Sequence, residues 1–125
     1  MNRTLTPLAT MVIFVATLCA ILGFRVTAAT HNPDAADGKK IYSSKCVVCH
    51  KADGSGGVKL TGNPTPDWRN PKLMSAPAHS DSALRDCIIN GKPKSGMVAW
   101  VKSDQLKPAQ VENLIAYIHM FSKKK

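Results

Sequence analysis

Apolar residues recur at three- and four-residue spacing in three stretches of the chain and nowhere alternate over a strand's length, so the pattern predicts an all-α domain. The last stretch is the strongest. From Pro108 to about Ser122, the residues Val111, Leu114, Ile115, Ile118 and Phe121 form one amphipathic stripe with Tyr117 beside it. A second helix is expected from Ser80 or Asp81 to Ile89, with Ala83, Leu84, Cys87 and Ile88 on its apolar face and Asn90-Gly91 as its stop. The first should begin at Asn32-Pro33-Asp34, with Asn32 as N-cap and Pro33 at the first helical position, and run to about Lys45. Its inner face carries Gly38, Ile41, Tyr42 and Cys46. Between these helices, glycines 54, 56 and 57 and prolines 64, 66, 71 and 77 forbid a long helix and read as an ordered loop wrapped around something.

The two ends change the picture in different ways. Arg3, the uncharged run Leu8 to Phe24 and the small-residue site Val26-Thr27-Ala28 give residues 1–30 the outline of an export signal peptide. The run is near the lower limit for spanning a bilayer, so a retained N-terminal membrane anchor is the second reading. Residues 31–125 form the folded domain. Its aromatic residues are few (Tyr42, Trp68, Trp100, Tyr117 and Phe121), and so short a chain needs a staple beyond its own side chains. The formal net charge is +9, and removal of the leader takes away only Arg3 and Arg25. In an exported protein this basic balance points to acidic protein surfaces; nucleic acid is not expected as a partner.

The chemistry lies at the end of the first helix, in Cys46-Val47-Val48-Cys49-His50. A Cys-x-x-Cys-His run in an exported chain is the covalent attachment signature of a c-type haem. Cysteines three apart lie on one side of a helical turn, so both sulfurs reach the vinyl groups of one porphyrin edge, and His50 then faces the iron. A zinc site would need further Cys or His at paired spacing, whereas Cys87, His79 and His119 are scattered singly. A thioredoxin-like dithiol would need a strand before Cys46, and none is indicated. One haem c per chain, thioether-linked to Cys46 and Cys49, also supplies the missing staple. Cys87 shares a helical face with Leu84 and Ile88 and reads as a small core hydrophobe. His79 and His119 read as surface residues.

Gly38 and Tyr42 before the haem motif, the motif itself, Asn90-Gly91 leading to Met97, and Leu114 with Ala116-Tyr117-Ile118 in the last helix together resemble the class I cytochromes c, over about residues 34–122. The resemblance implies three main helices and loops around one haem, with the first and last helices crossing near Gly38, Tyr42, Leu114 and Tyr117. It implies His50 and Met97 as the axial iron ligands, Met97 lying in a helix-free loop flanked by Gly91 and Gly96. Met74, Met120, His79 and His119 are the alternatives, with Met74 the main competitor. Val98 departs from the proline that the family usually carries after its methionine. The resemblance further implies a proline carbonyl, that of Pro64 or secondly Pro66, accepting from the free nitrogen of His50. Trp68 and Trp100 are candidates to pack on the haem or reach a propionate.

A His/Met-ligated iron leaves no open position, so the implied role is single-electron transfer between redox proteins outside the cytoplasm, by a monomer that is not an enzyme. Lys45, Lys51, Lys59, Lys92 and Lys94 are placed by sequence to ring the haem edge and meet an acidic docking surface. A membrane-anchored subunit of a larger redox complex is the alternative if the leader is retained, and a five-coordinate haem enzyme or gas binder if no methionine ligates.

Overall fold

A carboxylate rather than the expected amide starts the first helix. In the computed structural model, which describes residues 32–123, helix α1 spans Ala35–Lys45 and its N-cap is Asp34. The extended backbone at Asp34 lets its Oδ1 accept from the amides of Ala36 and Asp37 at 2.8 and 3.4 Å. Pro33 and Asn32 therefore lie before the helix. The Asp34 N–H is itself taken by Oδ1 of Asn113 (2.9 Å), whose Nδ2 donates to Asp37 (3.0 Å), so one buried amide side chain ties the start of α1 to the last helix. The leader expected over residues 1–30 lies outside the described residues.

After α1 the chain makes one further helical turn, α2 (Val47–His50), then the proline-rich loop. That loop is more regular than its prolines suggested. Asn70 caps a single turn, α3 (Pro71–Met74), with Pro71 at its first position, and a 3-10 turn follows at Pro77–His79. Helix α4 (Asp81–Asn90) is capped by Ser80 and stops at Gly91, and α5 (Pro108–Lys123) closes the chain. There is no strand among the described residues; Lys92 and Met97 form an isolated bridge. No helix among the described residues is long and apolar enough to cross a membrane.

The periodic stripe of α5 becomes the core: Val111, Leu114, Ile115, Ile118 and Phe121 are all buried. Helices α1 and α5 cross at Gly38, where any Cβ would run into the carbonyl oxygen of Asn113. The close approach brings the rings of Tyr42, Tyr117 and Phe121 together, with centroids 5.1 to 5.3 Å apart in tilted and edge-on contacts. Arg85 and Glu112 pair in a fork (2.6 and 2.8 Å) that holds α4 against α5 at the surface. Gly38→Ala should lower the stability of the haem-loaded protein by roughly 1–3 kcal/mol, as overpacking does. The urea midpoint reads this, and an unchanged midpoint would mean the helices do not cross there so closely.

Candidate haem site

Tyr42 builds the platform for the site. Its hydroxyl donates to the carbonyls of Lys51 (2.6 Å) and His50 (3.2 Å), satisfying the end of α2, and burial raises its pKa well above the ordinary value. The His50 amide closes the turn onto Cys46 O at 2.9 Å, so Cys46, Cys49 and His50 are presented from one continuous helical segment. Burial pushes the Cys46 thiol up to about 12 against the lowering effect of Lys45. Among the described residues no group of three or more Cys, His, Asp or Glu side chains gathers to hold a metal ion. Burial also pushes His50 down to about 4, so its imidazole is neutral at physiological pH and keeps a lone pair for a metal.

These residues open onto a cavity of about 350 Å³. Cys46, Cys49, His50, Met97, Trp68 and Trp100 all line it, and the apolar face of α4, Leu84, Cys87 and Ile88, forms part of its wall. Cys87, expected as a core residue, is half-buried at that wall. Trp68 is 5% exposed and stacks on His50, with centroids 4.2 Å apart and planes 10° from parallel. The ring of His50 is thus oriented by an indole. The expected proline contact is not made: His50 Nδ1 is buried with no hydrogen-bond partner. Pro64 and Pro66 do line the cavity, and the Pro66 carbonyl sits where a Cβ on Gly56 would strike it. An Nδ1 closed to solvent leaves Nε2 as the nitrogen that can face the cavity.

The candidate methionines separate clearly. Met97 lines the cavity; Met74 is buried in the core and does not line it, and Met120 is 41% exposed. His119 bonds Asp81 at 2.6 Å on the outer surface. Met97 is held by two backbone hydrogen bonds with Lys92, at 3.0 and 3.1 Å. Gly91 makes this geometry reachable, since its φ of 69° favours glycine and a Cβ there would meet the Met97 carbonyl at 2.7 Å. The segment between them is not helix-free: a 3-10 turn at Pro93–Ser95 ends on Gly96 in the left-handed region. Val98 is 44% exposed, and the bridge to Lys92 fixes the register of Met97 without a following proline.

Of the five lysines, Lys45 and Lys92 line the cavity, whereas Lys51, Lys59 and Lys94 are exposed away from it. Lys45 Nζ lies 5.4 Å from the Trp100 ring, a cation–π contact at the rim. His79, read from sequence as a surface residue, also lines the cavity. Sequence gave no spacing signal for it, because a turn started by Pro77 brings it inward.

The residues suit a haem. The buried side-chain polar atoms without partners among the described residues are His50 Nδ1, Trp68 Nε1 and His79 Nδ1, and all three residues belong to this one wall. A mainly apolar cavity with two thiols, a neutral imidazole and a thioether is a donor set for a covalently held iron porphyrin. Fold and site together therefore define an all-α c-type haem protein. The family model for cytochrome C oxidase, cbb3-type, subunit III matches residues 33–118. Cytochrome c6 of Synechococcus sp. (strain ATCC 27167 / PCC 6312) is 33% identical over 85 residues, 68% of each chain. The chain belongs to the class I monohaem cytochrome c family, and that membership supports an electron-carrier role, covalently bound haem c and redox-protein partners.

Proposed function

We propose that this chain shuttles single electrons between redox proteins outside the cytoplasm, on one haem joined to Cys46 and Cys49 and ligated by His50 and Met97. One observation carries the reading: of the three candidate methionines only Met97 lines the cavity that His50 lines, and His119 is engaged with Asp81; His79 lines the cavity too, and loss of the far-red charge-transfer band in Met97→Ala tells the two apart. Bound haem supplies a one-electron iron couple. The chain's part is to hold a neutral imidazole and a thioether toward the iron from two fixed backbones, α2 and the Lys92–Met97 bridge, so that little moves between oxidation states. With both axial positions filled, no site remains for a substrate, and the protein is not an enzyme. Carbon monoxide added to the reduced protein should produce no prompt spectral change; fast binding would indicate an open iron and the five-coordinate alternative.

Lys45 and Lys92 at the cavity rim, with a sequence net charge of +9, favour acidic docking partners and an encounter rate that salt depresses. The bimolecular rate with an acidic redox partner should fall severalfold between low and physiological ionic strength. A flat salt profile would remove the electrostatic part of the reading. The matched family model is named for an oxidase subunit, which favours a second reading, a membrane-anchored subunit of a larger redox complex. N-terminal sequencing of the purified protein separates the two: loss of residues 1–28 supports the soluble carrier, and retention of Leu8 to Phe24 supports the anchored subunit.

A further inference from the structure

His79 belongs to the cavity wall yet has no part in the ligation proposed above. Its backbone is fixed at the end of the Pro77–His79 turn, with its amide bonded to Ala76 O at 2.9 Å and Ser80 capping α4 immediately after it. Nδ1 is closed to solvent and has no hydrogen-bond partner, so the imidazole keeps unmet hydrogen-bonding capacity at the cavity wall. Lys92 lines the same cavity, and after burial its ammonium is the main influence holding the His79 pKa below the ordinary histidine value; a backbone contact to Leu73 acts the other way.

A neutral imidazole and a lysine ammonium therefore adjoin one another at the cavity. The nearby carboxylates are engaged elsewhere: Asp81 with His119, Asp86 with Asn90, and Glu112 with Arg85. An N–H donor beside an ammonium suits an anion. Haem carries two carboxylates of its own.

We propose that His79 and Lys92 form the subsite for the haem's carboxylate side chains, with the His79 imidazole as the positioning donor. The inference rests on the haem reading of the cavity. It fixes which edge of the porphyrin faces the turn before α4, and it joins that edge to the iron ligand, since Lys92 also carries the bridge to Met97. Donors on a propionate offset negative charge near the iron and so favour the ferrous state.

Reduction potentials of the haem-loaded protein test this. His79→Leu should lower the reduction equilibrium about tenfold, about 59 mV for a one-electron couple, with haem content and the far-red charge-transfer band of methionine-bound ferric iron unchanged. His79→Gln, which keeps an amide donor near the Nε2 position, should restore most of the loss. Lys92→Gln should lower the potential more than Lys59→Gln, a change at an exposed lysine off the cavity. A wild-type potential in His79→Leu, an equal fall in His79→Gln, or equal effects at positions 92 and 59 would overturn the subsite. Loss of the far-red band in His79→Leu would overturn it as well, by making His79 a support of the iron ligand. A wild-type protein that lacks the band contradicts the Met97 ligation instead, and the potential series still reports on His79.

Discussion

A Cys46→Ala, Cys49→Ala variant, purified without haem, should lose its near-UV circular dichroism and most of its helical far-UV signal. The reason is the size of the hole. Without haem, about 350 Å³ lined largely by apolar side chains lies open to water. A domain of this length, with a total stability of about 5–14 kcal/mol by the usual per-residue value, has little reserve for that exposure. The wall is also polar in the wrong places, with His50 Nδ1, Trp68 Nε1 and His79 Nδ1 buried and unpartnered. A native-like spectrum from the variant would show that the polypeptide closes its own core and that haem is not its staple.

Much of this architecture is legible in the sequence because it rests on local rules. The α5 stripe is legible because Val111, Leu114, Ile115, Ile118 and Phe121 obey a single period, and the end of α4 because Gly91 follows Asn90. The haem motif is legible because its chemistry demands a fixed spacing. What escaped depends on contacts remote in sequence. Asp34, and not Asn32, caps α1 because Asn113, far along the chain, holds the Asp34 amide. The proline-rich loop hides two short helical turns because prolines that forbid a long helix are well suited to start a short one. His79 faces the cavity through one of those turns, and Met97 is fixed by a bridge whose partner, Lys92, carries no sequence sign of that role. The orientation of His50 by Trp68 is likewise a tertiary contact, where family resemblance suggested a proline carbonyl.

Met97→Ala should have the largest effect on function. Removing the thioether exposes one face of the iron, so the reduced variant should bind carbon monoxide promptly. Its potential should fall by on the order of 0.2 V, within the roughly 0.8 V range that axial ligation governs. Met74→Leu, a volume-conserving change in the core, should leave ligand binding and potential near wild type and cost less than about 1.5 kcal/mol in stability. If Met74→Leu opened the iron and Met97→Ala did not, the ligand would come from α3 and the Lys92–Met97 bridge would have only a structural role.

The absorption spectrum of the oxidised, haem-loaded wild-type protein bears most directly on the account, because it reads the sulfur bond to ferric iron itself. The predicted result is a low-spin, six-coordinate spectrum with the far-red charge-transfer band, lost in Met97→Ala and kept in Met74→Leu. A high-spin spectrum without that band, or a band that survives in Met97→Ala, would contradict the assignment of His50 and Met97 as the ligand pair of an electron carrier.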